Sequence, residues 1–331
     1  MIGVSLTDDA CKFLIAVIVA DLGIGHRFPE LQDSTAEFFS VAPSAASLSV
    51  DPSLSALFER LVAIAPDADT YFSCLAALHR SRLKYARILE QQPIPTMDQV
   101  GPRSLLQFGV MKPYALATFL LWRKWIFDID NRAGQETGYL FEPIIAHAIG
   151  GVPLSSGKSP IRRHGDNTKG RQVDCIREHH AYEIKIRVTI AASGQGRWRE
   201  ELDFPIDCRM SGYTPVLVVL DPTDNPKLQD LIRAFQREDG EVYVGERAWG
   251  HLEAVAGQTM ALFLDNYVRA PMEWVLRECP ESLPNLTLAM SEERFTIGIG
   301  TETYSFPRAE IEELDSETPL PEDIDDETPG L

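Results

Sequence analysis

The stretch Gly170–Thr189, GRQVDCIREHHAYEIKIRVT, decides the fold of this 331-residue chain. Two short runs rich in Val, Ile and Tyr flank a polar break, and this pattern is typical of a β-hairpin. A two-residue turn at Glu178 and His179 would place Asp174 directly opposite Glu183 on the neighbouring strand.

Charged side chains are expected to converge on one face of this hairpin. Side chains alternate across a strand, so Glu183 and Lys185 share a face, and Asp174 joins them from the paired strand. Two carboxylates this close repel each other unless a cation neutralises them. A hard divalent cation prefers oxygen ligands, and the pattern therefore predicts a Mg²⁺ site.

The spacing of these residues, Asp-x8-Glu-x-Lys, resembles the motif of the PD-(D/E)xK nuclease superfamily, best known from type II restriction endonucleases. The resemblance covers chiefly residues 132–221. It implies an α/β (α+β) fold with a restriction-endonuclease-like αβββαβ core. It also implies that Asp174, Glu183 and Lys185 are catalytic and that Mg²⁺ binds to Asp174 and Glu183. Val173 stands where the motif has Pro, a residue that is frequently missing in this superfamily.

The order of patterns around the hairpin agrees with that core. A first strand is expected at Ser159–His164, and a loop followed by a helix, interrupted at Pro205 or continuous, is expected after the hairpin. Residues 214–221 are almost continuously apolar, which is typical of a strand buried on both faces. The predicted elements therefore follow in the order helix, strand, hairpin, helix and buried strand, which is the αβββαβ order.

Glu142 lies in the helical pattern 132–150, directly before Pro143. A proline inside a helix removes a hydrogen-bond donor, so the helix either begins near Phe141 or bends there. The resemblance implies that Glu142 is a further metal or water ligand. The alternative is a solvated carboxylate stabilised by a helix N-terminus.

The rest of the chain divides into four predicted segments. Residues 1–131 form a mainly helical N-terminal part that could carry DNA-contacting and dimer elements. Within it, residues 103–130 are expected to be helical, with or without a kink at Pro113. The catalytic core follows at 132–221. A mixed extension at 222–309 completes the core and includes a small β-hairpin at 286–306, and residues 310–331 form an acidic, disordered tail.

The formal net charge of −18 argues at first against nucleic acid, since phosphate binding favours basic surfaces. Ten of the acidic residues lie between Glu310 and Glu327, where there is no Lys or Arg, and the remainder carries −8. Residues 80–132 hold nine basic against four acidic residues, and residues 158–187 hold eight against four. Either segment could line a DNA cleft or form an ordinary solvated face.

Side chains beside the motif are of the types that read DNA. Arg binds guanine and Gln binds adenine through paired hydrogen bonds in the major groove. Which of these residues contact phosphate instead of bases stays open. The predicted DNA-binding residues are Arg103, Arg162, Arg163, Lys169, Arg171, Arg187, Gln195, Arg197 and Arg199.

Composition excludes several other classes of protein. Five widely spaced cysteines without a C-x2-C pair argue against a disulfide framework or a zinc knuckle. The apolar run at residues 10–20 is too short to span a membrane and lacks the basic flank of a signal peptide, so we expect a cytoplasmic protein. No phosphate-binding loop is present, so a nucleotide cofactor is not expected.

Together these features predict a Mg²⁺-dependent type II restriction endonuclease that cleaves double-stranded DNA as a homodimer. Two-fold symmetry suits the cutting of both strands of a palindrome. The alternatives are a DNA repair or mobile-element nuclease on the same core, or a non-catalytic DNA-binding module. Lys185 could orient or deprotonate the attacking water, or stabilise the pentacovalent charge.

Overall fold

The computed structural model describes residues 6–31, 53–188, 195–278 and 280–309, without the side chains of residues 195–197. The predicted tail at 310–331 lies outside this range. The chain forms two compact units. The described part of the larger unit comprises residues 6–31, 53–78, 137–188 and 195–278, and that of the smaller unit comprises residues 79–136 and 280–309.

Helices account for most of the described residues. Among those residues, none of the helices is long and apolar enough to cross a membrane. The α-helices are α1 (Asp8–Asp21), α2 (Leu54–Ile64), α3 (Ala68–Gln91), α4 (Met97–Val100), α5 (Pro113–Ala148), α6 (Gln195–Met210), α7 (Pro226–Arg237), α8 (Glu246–Leu264) and α9 (Ala270–Arg277).

The strands of the described residues form three separate sheets. The strands are β1 (Val152–Leu154), β2 (Arg162–Arg163), β3 (Asp166–Gly170), β4 (Val173–Arg177), β5 (His180–Lys185), β6 (Thr214–Val219), β7 (Glu241–Val244), β8 (Leu286–Met290), β9 (Arg294–Ile299) and β10 (Glu302–Pro307). The largest sheet has the order β1-β4-β5-β6-β7. In the second sheet β2 pairs with β3, and in the third β9 lies between β8 and β10.

The central hairpin has the predicted register. Arg177 pairs with His180, and β4 and β5 run antiparallel from that point. Glu178, the first turn residue, adopts φ 54°, a left-handed conformation that tight hairpin turns require. Strand β6 then adds in parallel to β5, as a connection through a helix demands. The predicted αβββαβ order is confirmed as α5, β1, β4, β5, α6, β6.

Two apolar clusters cover the two faces of the five-stranded sheet. On one face, Tyr182 and Ile184 share a cluster with buried residues of α1, α5 and α8. On the other face, Ala181 and Leu217 share a second cluster with α6 and α7. Strand β6 is buried over all but its first residue and contributes to both clusters, which confirms the prediction from its continuous apolar run.

Helix α5 differs from the sequence prediction. Residues 103–112 are not helical beyond a 3-10 turn at Gly101–Ser104, and the helix begins at Pro113 instead. Proline suits the first position of a helix, where its missing N–H is not needed, so Pro113 starts the helix rather than kinking it. The helix runs on through Pro143 to Ala148, and the predicted start near Phe141 is wrong.

Two strand predictions are also corrected. The first strand of the catalytic sheet is β1, whereas Ser159–His164 contributes only β2, which pairs with β3 outside that sheet. The predicted hairpin at 286–306 is a three-stranded antiparallel sheet, because a second tight turn at Gly300, with φ 58°, adds β10. Helix α6 continues through Pro205 without interruption.

The smaller unit has its own aromatic core. The ring of Trp125 lies edge-on to that of Phe295 with 4.5 Å between centroids, and Trp122 contacts Trp125 at 5.8 Å. The Arg308 guanidinium donates to the carbonyl of Gln92 at 2.9 Å and ties the end of β10 to the segment after α3. The sheet β8 to β10 thus belongs to this unit, and among the strands of the predicted extension only β7 joins the catalytic sheet.

Gly151 provides a test of the packing between α5 and the catalytic sheet. A Cβ at this position would lie 2.1 Å from Cys175 Sγ and 3.0 Å from the Ile176 carbonyl oxygen. We expect Gly151→Ala to lower the free energy of unfolding by about 1–3 kcal/mol through overpacking. Gly250 in α8 has no atom within 4 Å of an added Cβ, so Gly250→Ala is the control. It should raise stability by up to about 1 kcal/mol in thermal unfolding.

Candidate active site

The β4–β5 hairpin brings Asp174, Glu183 and Lys185 together in the larger unit. Cys175 pairs with Tyr182, so Asp174 and Glu183 are the next residues outward on the two strands, and Lys185 ends β5 on the same face as Glu183. Glu183 is only 9% exposed. The Ile184 backbone N–H donates to Asp174 Oδ2 at 2.8 Å, which fixes this carboxylate against the paired strand. The predicted convergence of the three side chains is therefore present.

Lys185 is the cation of this group. Its Nζ lies 2.6 Å from Glu183 Oε1 and 3.8 Å from Glu201 Oε1. Burial alone lowers the pKa of Lys185, but the attraction of Glu183, Asp174 and Glu201 outweighs burial and raises the pKa above its usual value. Lys185 is thus held as an ammonium between β5 and α6.

Asp174 carries the opposite imbalance. Burial raises its pKa well above the usual value, and repulsion by Glu183 and Glu142 raises it further. The Lys185 ammonium and the Ile184 N–H oppose this shift without cancelling it. The single ammonium therefore does not offset the burial of Asp174 and its repulsion by Glu183 and Glu142.

Glu142 reaches this site from α5. It acts electrostatically on Asp174, and its Oε1 lies 3.5 Å from the position that a Cβ on Gly138 would occupy one turn earlier. An alanine at position 138 would thus make an ordinary van der Waals contact with the Glu142 carboxylate. The metal-binding or water-binding role that the resemblance implies for Glu142 stays a proposal.

The chemistry of these donors fits a hard divalent cation. Within the described ranges, no group of three His, Cys, Asp or Glu side chains is arranged closely enough to hold a metal ion by itself. Mg²⁺ does not require such a group, since it keeps several waters and is commonly held by one or two carboxylates together with substrate phosphate. Asp174 and Glu183 supply two such carboxylates on adjacent strands.

Glu201 is a member of this site that the sequence did not reveal. It lies on α6, sixteen positions beyond Lys185, and its carboxylate is 3.8 Å from the Lys185 ammonium. The double acid Glu200-Glu201 is visible in the sequence, but which of the two faces the sheet depends on how α6 is rotated about its axis. Packing of Phe204 and Cys208 against the sheet sets that rotation.

Several of the predicted DNA-binding residues are available at the surface beside this site. Arg162 and Lys169 are exposed. The Arg163 side chain is 40% exposed and donates to Glu200 at 2.7 Å. The Arg199 side chain is 85% exposed, with its Nε 4.0 Å from Asp203. These four residues lie on β2, β3 and α6, and their contact with DNA stays a proposal.

Arg171 does not fit its predicted role. It is only 8% exposed, and its guanidinium donates to Asp207 Oδ2 and to the Glu200 carbonyl oxygen. Its guanidinium carbon also lies 5.4 Å from the centre of the Phe204 ring. Because the planar fork is occupied inside the protein, Arg171 is reassigned from DNA contact to the support of neighbouring elements.

The remaining predicted residues occupy different situations. Arg187 follows β5, is 58% exposed and lies 3.3 Å from Asp221. Arg103 belongs to the smaller unit, where it is exposed and donates to the Gln99 carbonyl oxygen at 3.4 Å. The side chains of Gln195 and Arg197 lie outside the described residues.

Asp174→Asn tests the charge imbalance in the site. Asparagine keeps an acceptor for the Ile184 N–H but removes the repulsion with Glu183, so the metal-free variant should gain on the order of 1 kcal/mol in free energy of unfolding. Mg²⁺ should raise the melting temperature of the original protein and not that of the variant. Asp230→Asn, on the surface of α7, is the control and should change stability by less than about 0.5 kcal/mol. A variant less stable than the original protein without metal would contradict the imbalance.

Comparisons with known proteins match the part of the chain that contains these residues. The model of the ApaLI-like restriction endonuclease family matches residues 33–269, which include the whole site. Type II restriction enzyme ApaLI of Acetobacter pasteurianus is 55% identical over 212 residues, which are 62% of this chain and 56% of that protein. The chain thus spans little more than half the length of this curated relative, and no solved structure matches it. Because the family model covers most of its length, this chain belongs to the ApaLI-like restriction endonuclease family.

Proposed function

We propose that this chain is a type II restriction endonuclease that hydrolyses phosphodiester bonds of double-stranded DNA at a defined sequence, with Mg²⁺ as its cofactor. The observation that carries the proposal is the convergence of Asp174, Glu183 and Lys185 on one face of the β4–β5 hairpin, in a chain of this family. The similarity to type II restriction enzyme ApaLI supports the same class of activity.

Asp174 and Glu183 are the proposed ligands of Mg²⁺, with Glu142 as a further ligand to the metal or to a water. When bound, the cation supplies neutralisation of the charge that develops on the phosphate and on the leaving oxygen. The Ile184 N–H holds Asp174 in place for this role. The repulsion between the carboxylates provides a reason for the site to bind a cation rather than remain without one.

For Lys185 we favour stabilisation of the pentacovalent phosphate over removal of a proton from water. Its ion pairs with Glu183 and Glu201 hold the side chain as an ammonium, which carries donors and no acceptor. An ammonium fixed before the substrate arrives needs little rearrangement during the reaction. Glu201 is not among the proposed metal ligands, so it would keep Lys185 in place while Glu183 binds the metal.

The family favours restriction over the other functions considered. A repair or mobile-element nuclease would share the catalytic hairpin, but the family that this chain matches is one of restriction endonucleases. A non-catalytic module would not need two carboxylates that repel each other. We further propose a homodimer acting in the cytoplasm, because cutting both strands of a symmetric site requires two catalytic centres.

The proposal is tested by incubating the purified protein with phage DNA and Mg²⁺ and sequencing the ends by run-off. Discrete fragments with one shared end sequence are expected. Lys185→Ala should bind the same DNA and cut it at least about a hundredfold more slowly. Nicks at mismatches or branched structures would support a repair nuclease instead. DNA left intact across several unmethylated substrates would contradict the restriction function.

Glu201→Gln tests the proposed positioning of Lys185. Loss of the second carboxylate should lower the single-turnover cleavage rate about tenfold, which corresponds to about 1.4 kcal/mol in the barrier. DNA affinity, measured with Ca²⁺ in place of Mg²⁺, should not change, because the carboxylate of Glu201 faces Lys185 and is not a proposed DNA contact.

Glu253→Gln is the matched control for this variant. Glu253 also lies on a helix and pairs with an arginine, Arg269, at 3.2 Å, but it is outside the site. Its removal should leave the cleavage rate unchanged. Equal rates for Glu201→Gln and the original protein would show that Lys185 is positioned without Glu201.

A further inference from the structure

The β2–β3 pair forms a short ribbon that stands apart from the catalytic sheet. Arg162 pairs with Gly170, and Arg163 pairs with Asp166. One step along β2 therefore corresponds to four steps along β3, and the three residues between, 167–169, bulge out of the ladder. All three are exposed. Bulges of this kind re-aim side chains and are often found beside active sites.

A buried carboxylate holds the base of this ribbon. Asp207 on α6 is 0% exposed. Its Oδ1 accepts from the backbone N–H and from Nδ1 of His164, both at 2.7 Å, and its Oδ2 accepts from the Arg171 guanidinium at 2.5 Å. His164 is in the turn after β2, and Arg171 follows β3. A single side chain thus fixes both strands to α6.

Further contacts make this attachment rigid. The Arg162 backbone N–H donates to Ser211 Oγ at 2.9 Å, and the Arg171 N–H donates to the Ile161 carbonyl oxygen at 3.0 Å. Ile161 is fully buried in the cluster that includes Phe204 of α6. The base of the ribbon is therefore part of the core, while residues 167–169 are presented to solvent.

The ribbon adjoins the catalytic centre through one turn of α6. Glu201 lies near Lys185, and Glu200, the preceding residue, binds Arg163 of the ribbon. A cavity of about 330 Å³ lies between the ribbon and α6, lined by side chains that include Lys169 and Arg199. A DNA duplex whose phosphate is held at Lys185 would therefore pass close to the ribbon.

We propose that the β2–β3 ribbon enters the major groove of the DNA, that Asn167 and Lys169 read base edges there, and that Asp207 is the positioning residue that holds the ribbon. The inference rests on the proposed restriction function. The major groove admits a two-stranded ribbon. Asn pairs with the edge of adenine and Lys with that of guanine, which makes both exposed residues suitable readers. The complete desolvation of Asp207 is consistent with a need for one fixed arrangement.

Asn167→Ala and Lys169→Ala test the reading role without disturbing the core. Cleavage and Ca²⁺-supported binding are measured on a set of duplexes in which each position of the cognate site, once mapped, is changed in turn. Each variant should lose about tenfold or more of the discrimination at one or two positions, and binding to unrelated DNA should fall much less. The melting temperature should not change.

Gln229→Ala and Arg233→Ala are matched controls on the exposed side of α7, where they replace an amide and a basic side chain that belong neither to the motif nor to the ribbon. They should leave discrimination unchanged. If Asn167→Ala and Lys169→Ala cut the cognate site with unaltered discrimination at every position, the ribbon does not read bases and the proposal is wrong.

Asp207→Asn tests the positioning role. Asparagine keeps an acceptor for the His164 N–H but leaves Arg171 without its carboxylate. A folded variant should lose discrimination at the positions that depend on Asn167 and Lys169 and keep its binding to unrelated DNA. Unchanged discrimination in a folded variant would overturn the positioning role. If the variant does not fold, the two alanine variants decide the inference.

These outcomes separate the inference from the proposed function. If the unsubstituted protein cuts at a defined sequence and the ribbon variants keep its discrimination, only the proposed role of the ribbon is refuted. If the unsubstituted protein cuts no duplex at a defined sequence, both the proposed function and the role of the ribbon are refuted.

Discussion

Repulsion between two carboxylates that a hairpin places side by side is the constraint on which this structure depends. Asp174 and Glu183 cannot move apart, because the β4–β5 register fixes their strands and the Ile184 N–H holds Asp174. One ammonium, that of Lys185, lies 2.6 Å from Glu183. It lowers the pKa of Asp174, but burial and the neighbouring carboxylates keep this pKa above its usual value. This arrangement supports the proposed role of Asp174 and Glu183 in binding a divalent cation.

Helix α6 connects this centre to its surroundings. Its apolar residues, including Phe204, bury one face of the catalytic sheet, and this packing fixes the rotation of the helix. The same rotation directs Glu201 toward Lys185 and Asp207 toward the ribbon. Core packing, contact with the Lys185 ammonium and support of the β2–β3 ribbon thus depend on a single helix. A change in its packing should affect the proposed chemistry and the proposed recognition together.

The sequence predicted those parts of the molecule that depend on local patterns. Alternation and turn chemistry were sufficient for the β4–β5 hairpin and its register, and a continuous apolar run was sufficient for β6. The sequence did not predict contacts that depend on the rotation of a helix about its axis, or whether a side chain beside a strand is buried or exposed. Arg171 is of a residue type that often contacts DNA, but it is buried against Asp207. The sequence alone does not show that Glu201, rather than Glu200, contacts Lys185, because this depends on the packing of α6. The helix expected from residue 103 begins at Pro113, since several glycines and prolines before that point favour turns over a helix.

We propose that Asp174 and Glu183 together hold a divalent cation against the phosphate to be cut. A crystal structure of Lys185→Ala with its cognate duplex and Mn²⁺ is the decisive test, because the anomalous signal of manganese locates the ion directly. We expect a manganese peak bonded to both carboxylates and to an oxygen of the scissile phosphate. Bound duplex with no peak between Asp174 and Glu183, or with manganese only at other side chains, would contradict it.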